Sequence, residues 1–227
     1  MRADSSSTVS EGVQRLILKI RLQAHPTADT FRVMRVALLG SGRGSNADAV
    51  LRAQADGHLG SAKVAGIYCD LPTAPMLALG PKYGVPATFL DPGPFKTKFS
   101  PEQEAFWAWT LAEDGVDLVV LAGFMRVVKS PLLEPFAGRI INLHPTLLPA
   151  FPGLDGIGQT WRAGVPEGGC TVHWVTAEVD GGAHLGQTKV TRTSDDSLDT
   201  FAQKIHAAEH ALLPRVIAEL ATRFHAR

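Results

Sequence analysis

From Arg35 onward, short apolar runs alternate with segments of helical spacing, and this alternation limits the possible architectures more than any other feature of the sequence. Runs rich in Val, Ile and Leu fall at 35–39 (RVALL), 63–68 (KVAGIY), 87–90 (ATFL), 117–122 (DLVVLA) and 139–143 (RIINL). The segments 45–57, 74–83 and 101–114 between them carry helical periodicity. Strands that are apolar along their whole length belong to sheets covered on both faces. The pattern therefore predicts an α/β, Rossmann-like fold: a mostly parallel, twisted sheet with helices on both faces. After residue 150 the pattern changes. TVHWV (171–175) and GQTKVT (186–191) predict later strands joined by the turn VDGG. Residues 195–222 predict a long helix interrupted at Pro214. No internal repeat or low-complexity stretch is visible.

One α/β domain over 34–227 accounts for this pattern, and 227 residues suffice for a sizeable core. The segment 1–33 stands apart as an N-terminal extension, read as non-catalytic or as preceding a true start at Met34. Its stretch VQRLILKIRLQ (13–23) is amphipathic and basic, but lacks the long apolar core and cleavage site of a signal peptide. Composition narrows function mainly by exclusion. With 22 basic and 22 acidic residues the formal net charge is zero, so no global field would draw the chain to nucleic acid or an anionic membrane. No apolar run reaches the roughly 18 residues of a membrane span. The two cysteines, Cys69 and Cys170, form no C-x-x-C pair, so neither a metal site nor a disulfide framework is expected. A cytoplasmic setting fits.

Two stretches carry candidate chemistry. The first strand runs into LGSGRGSNADAV (39–50), where Gly40, Gly42 and Gly44 permit close backbone approach before Ser45 and Asn46 open a helix. Backbone N–H groups at such a helix start can hold an anion. The loop lacks the GK[ST] of a P-loop and misses the G-x-G-x-x-G spacing. It reads either as a phosphate cradle or as a tight strand-to-helix turn. The second stretch, IINLHPTLLPAFPG (140–153), places Asn142 and His144 two residues apart where an apolar strand ends. An amide N–H is a neutral donor suited to a developing oxyanion, and an imidazole can move a proton near neutrality. Asp180 opens the DGG turn and could partner that imidazole. Taken alone, His144 could equally be a satisfied strand-end histidine. No Ser or Cys has an evident neighbouring base, which favours direct group transfer over a covalent intermediate.

GSGRGSN, LAGFMR, INLHPTLLPAFPG, VDGG and AEH together closely resemble the phosphoribosylglycinamide formyltransferase family, folate-dependent transferases of purine biosynthesis and one-carbon metabolism. The resemblance covers about 34–223, in the family's order and spacing. It implies a co-substrate, 10-formyltetrahydrofolate, no metal, and an amine acceptor, glycinamide ribonucleotide. It also implies a monomer or weak homodimer. The implied catalytic set is Asn142, His144 and Asp180. Gly44, Ser45 and Asn46 match the contacts to the ribonucleotide phosphate and Glu209 the ribose-hydroxyl acceptor, and Pro145 belongs to the same implied substrate-binding set. The folate would lie along Met125, Arg126, Val127 and Val128, with Thr176 and Val179 on the opposite wall. A cis peptide is implied at Leu148–Pro149.

The sequence departs from the family in two places. PGL is followed by Asp155 and Gly156 where many members have His. The arginine that often reaches the phosphate is missing from FKTKFSPE, leaving Lys98 as the candidate substitute and Lys96 behind it. His173 is expected to be a packed strand residue and His206 a helix-packing residue. Relatives acting on methionyl-tRNA or sugar amines, a hydrolase relative, and a non-catalytic nucleotide-binding protein of the same fold are the competing readings.

Overall fold

The computed structural model describes residues 33–224; the expectations for the first 32 residues lie outside them. The elements follow in the order β1 (Met34–Gly40), α1 (Ser45–Ala55), β2 (Ala62–Cys69), α2 (Leu79–Tyr83), β3 (Ala87–Phe89), α3 (Pro101–Glu113), β4 (Leu118–Leu121), α4 (Ser130–Leu133), β5 (Ile140–His144), α5 (Gly156–Arg162), β6 (Glu167–Trp174), β7 (His184–Thr191) and α6 (Leu198–Phe224). A 3₁₀ turn at Pro75–Ala78 leads into α2. All seven strands form one sheet in the order β3-β2-β1-β4-β5-β6-β7. The first five are parallel, whereas β6 and β7 run antiparallel to their neighbours. The predicted α/β class and mostly parallel sheet are therefore present.

Pleating divides the buried side chains between two cores. Val36, Leu38, Val120, Ile141 and Leu143 face α1 and α6, meeting Val50, Leu51, Leu212, Leu213, Val216 and Ile217. Ala37, Leu39, Val119, Leu121 and Ile140 face the other way, onto Trp107, Leu111, Leu132 and Phe136 around α3 and α4. Helices thus cover both faces, which explains why the central strands are apolar throughout.

Two boundaries differ from expectation. The strand predicted at 171–175 begins at Glu167, because Gly168 and Gly169 extend it where no side chain fits. A Cβ at Gly169 would lie 2.1 Å from the Thr188 carbonyl oxygen, and one at Gly168 would lie 2.6 Å from the Phe201 ring. The final helix runs through Pro214 without a break. Proline removes one helical donor at a cost of about 3 kcal/mol. The buried Leu212, Leu213, Val216 and Ile217 on either side anchor the helix across it.

Chain order and sheet order part company between β1 and β4. The chain leaves β1 toward β2 and β3, then returns to pair β4 on the other side. At such a switch point the loops after adjacent strands diverge and leave a crevice at the carboxyl ends. Leu38, fully buried in β1, reports on the integrity of this frame. Leu38→Ala should cost about 2–5 kcal/mol, read as a lowered urea midpoint at unchanged m-value.

Candidate active site

The crevice is a cavity of about 580 Å³ above the carboxyl ends of β1, β4 and β5. One end is formed by Gly42, Arg43, Gly44, Ser45 and Asn46, together with His206 and Glu209 from α6. Gly44 precedes α1 with φ 77°, and a Cβ there would lie 2.6 Å from Cγ of Met76. Both conformation and space therefore require glycine. No side chain caps α1, so its first N–H groups remain available at this end. Glu209 is buried and accepts from Nδ2 of Asn46 at 3.3 Å and from Nδ1 of His206 at 2.8 Å. That bond to Glu209 pushes the His206 imidazole above its ordinary range, against the opposing pull of partial burial and of Arg43.

The predicted catalytic side chains meet on the cavity wall. Asn142 and His144 share one face of β5, being two residues apart, while Leu143 faces the core. Nε2 of His144 lies 3.0 Å from the Phe151 carbonyl oxygen. A carbonyl can only accept, so Nε2 carries a proton and Nδ1 is the atom facing Asp180. The distance from Nδ1 to Oδ2 of Asp180 is 3.5 Å. Asp180 sits at φ 55°, and its Oδ2 accepts from the Gly153 N–H at 2.8 Å. Burial works to raise its pKa, but attraction to His173, the Gly153 N–H and the charge on His144 outweigh it. The carboxyl is held below its ordinary range.

His173 belongs to this cluster. The expectation that it is a packed strand residue is met as far as burial goes, since it is 2% exposed. Its ring nevertheless touches both partners. Nδ1 donates to the Trp174 carbonyl at 2.9 Å, so in the neutral ring Nε2 accepts from Nδ2 of Asn142 at 3.2 Å. Oδ1 of Asp180 lies 3.5 Å from the same Nε2. The signal that finds His173 is strand pairing: β6 runs antiparallel to β5 with Asn142 opposite His173.

The loop after β5 is fixed from beneath. Leu148–Pro149 is cis. Thr171 donates its hydroxyl to the Thr146 carbonyl at 2.7 Å and accepts from the Leu148 N–H at 3.1 Å. Gln187 closes the set by donating to the Leu148 carbonyl. The departure at Asp155 and Gly156 also has a role. Asp155 pairs with Arg162 at 2.8 Å. A Cβ on Gly156 would lie 2.5 Å from Cγ2 of Thr146 and 3.3 Å from Nε2 of His144, so α5 approaches the imidazole by virtue of that glycine.

At the other end the cavity is lined by Met125, Arg126, Val127 and Val128 on one side and by Thr176, Val179 and Asp180 on the other. Met125 and Val179 are exposed, with 59% and 58% of their surface free. The Arg126 guanidinium is occupied elsewhere: it pairs with buried Asp70 at 2.6 Å and donates to the Lys98 and Phe95 carbonyls. Pro145 also lines the cavity, but Lys98 is not among the lining residues. Nζ of Lys98 instead lies 4.4 Å over the Phe95 ring. The basic side chains that do line the glycine-loop end are Arg43 and His206. Among the described residues no group of three or more His, Cys, Asp or Glu is placed to hold a metal, and no described helix is long and apolar enough to cross a membrane.

An open parallel sheet with an Asn–His–Asp cluster beside a glycine loop defines a class, and residues 34–217 match the formyl transferase family. The chain belongs to that family. It is 37% identical over 186 residues to phosphoribosylglycinamide formyltransferase of Bacillus subtilis, covering 82% of this chain and 94% of that protein. It is 31% identical over 188 residues to the human trifunctional purine biosynthetic protein adenosine-3, covering 83% of this chain and 18% of that protein. Glycinamide ribonucleotide transformylase 1 from Symbiobacterium toebii shares the fold at TM-score 0.79 and 38% identity, covering 84% of this chain and 89% of its own. The resemblance read from the motifs is borne out.

Proposed function

We propose that the chain transfers the formyl group of 10-formyltetrahydrofolate to the amine of N1-(5-phospho-D-ribosyl)glycinamide, giving the N-formyl product and tetrahydrofolate. The observation that carries this reading is the convergence of Asn142, His144 and Asp180 on one wall of one cavity, between an N–H-rich end and an apolar end. The phosphate docks on the free N–H groups of Gly44, Ser45 and Asn46, and buried Glu209 accepts from a ribose hydroxyl. The folate lies between Met125–Val128 and the Thr176–Val179 loop, with its formyl group beneath Asn142.

The substrate amine attacks the formyl carbon. A C–N bond forms and the carbonyl oxygen becomes an oxyanion, stabilised by Asn142 and His144. The proton lost by the amine passes, through a water held between His144 and Asp180, to the folate nitrogen. Collapse then breaks the bond between the formyl carbon and that nitrogen. Asp180 supports each stage by holding the His144 ring and the relay water in place.

A spectroscopic assay of formyl transfer, with an unphosphorylated amine as control acceptor, tests the reaction. Asn142→Ala, His144→Ala and Asp180→Ala should each lower kcat by about 10²–10³ and leave the ribonucleotide Kd nearly unchanged. Near-normal turnover in the His144 or Asp180 variant would remove those residues from the mechanism. The unphosphorylated amine should be a poor acceptor for the wild type. A chain starting at Met34 should fold and turn over like the full sequence.

The anion end adds a pH signature. The Glu209 bond raises the pKa of His206, so its charge persists above the ordinary imidazole range and is lost as pH rises through the raised value. The ribonucleotide KM should increase across that interval, and His206→Ala should flatten the dependence. An unchanged profile in that variant would assign the titration to another group.

A further inference from the structure

We propose that Glu104 is a positioning residue for the co-substrate: its buried carboxylate holds the Met125–Val128 wall in place by accepting the backbone N–H of Lys129. The inference rests on the reading that this wall receives the formyl folate. Glu104 lies on α3 and is 2% exposed. Its own helix does not require it, since Ser100 already caps α3 by accepting from the Gln103 N–H. The carboxylate instead reaches the segment that follows β4 and bonds the N–H of Lys129, the residue directly after Val128.

That wall is packed at its ends, where Phe124 and Val128 enter the core, but Met125 and Val127 between them point outward with 59% and 38% of their surface free. Its position depends on polar ties at successive residues. Ser41 Oγ accepts from the Met125 N–H at 2.9 Å, Asp70 holds the Arg126 side chain, and the Thr97 carbonyl accepts from the Val127 N–H at 3.0 Å. Glu104 completes the series at the C-terminal end. A carboxylate buried against a core is costly without a partner, and the one it has belongs to the wall.

Burial raises the Glu104 carboxyl to about 7, against the pull of the Lys129 N–H and of the Lys129 charge. Lys129 is the charged side chain that faces it, while Arg126 on the same segment is committed to Asp70. The tie therefore strengthens as pH rises through neutrality, since a bond to an ionised acceptor is roughly twice as strong as a neutral one. Folding stability moves the opposite way. The folded pKa lies above the unfolded one, so this group's contribution is full below the ordinary Glu range and lost as pH rises through about 7.

Steady-state kinetics between about pH 6 and 9, spanning the range in which the group titrates, test the proposal on the full chain, with Glu104→Leu, Glu104→Gln and Val127→Ser beside wild type. Glu104→Leu should raise the KM for formyl folate about tenfold at alkaline pH, as expected for losing one hydrogen bond to a charged group. The ribonucleotide KM and kcat should stay near wild type. Glu104→Gln keeps an oxygen acceptor but no charge. Its co-substrate KM should be flat with pH at the wild-type acid limit, and its Tm should exceed wild type at alkaline pH and converge on it in acid. An unmoved co-substrate KM in Glu104→Leu, alongside a raised one in Val127→Ser, overturns the positioning role and leaves the wall reading intact. If neither variant moves it, the wall reading fails and takes the proposal with it. A matched rise in both KM values, or a wild-type pH slope in Glu104→Gln, also overturns it. Should Glu104→Leu not fold, the slope in Glu104→Gln decides.

Discussion

The antiparallel pairing of β6 against β5 is the constraint on which the rest of the site depends. β5 belongs to the parallel part of the sheet and delivers Asn142 and His144 to the crevice. β6 runs back along it, placing His173 opposite Asn142 and Thr171 opposite His144. The chain then leaves β6 beside Ile140 and Ile141, at the amino end of β5, and the turn that follows comes back to set Asp180 against both imidazoles. A slip of one residue would reverse the facing of every side chain in the strand. His173 would then enter the core, and Thr171 would lose the Thr146 and Leu148 groups it binds. Register thus decides which side chains meet at the site as much as their identities do.

The cluster is electrostatically economical. Two imidazoles flank one carboxylate, and each ring uses its remaining nitrogen on a backbone carbonyl: Phe151 for His144 and Trp174 for His173. Those carbonyls fix which nitrogen is protonated, because neither can donate. Asp180 is consequently the only anion in the group and is kept ionised by its surroundings. His173 also holds the Asn142 amide, with Nδ2 lying 3.2 Å from its Nε2. One of the two amide hydrogens is spent on that contact, and the other remains for an oxygen in the cavity.

Much of the fold was legible because its determinants are local. Apolar runs identified the parallel strands, and the i, i+2 spacing of Asn142 and His144 required them to share a face once a strand was accepted. Asp180 was legible because DGG marks a tight turn, and the family motifs supplied its partners. What escaped depends on distant pairings. His173 looks like any buried strand residue until its opposite neighbour is known. Lys98 looks like a phosphate ligand until Phe95 is seen beneath its ammonium. Gly156 looks like a lapse from the family pattern until its clearance from Thr146 and His144 is measured. Pro214 misled for the complementary reason: a local rule predicted a break, and the tertiary burial of its neighbours outweighed it.

The two ends of the cavity are held by different physics. The glycine-loop end is formed at the start of α1, whose Ala47, Val50 and Leu51 are packed against the sheet. Its geometry is therefore as rigid as the core. The apolar end is a loop after β4 whose Met125 and Val127 side chains are exposed. Phe124 and Val128 anchor its ends in the core, and between them the chain uses a charged pair, Asp70–Arg126, with 3% and 6% of the side chains exposed. Buried pairs of this kind contribute little net stability compared with apolar packing, but removing one partner is severe, about 3–5 kcal/mol. The pair lies under a wall that presents Met125 and Val127 outward, so it fixes the path of the segment while adding little to the stability of the sheet.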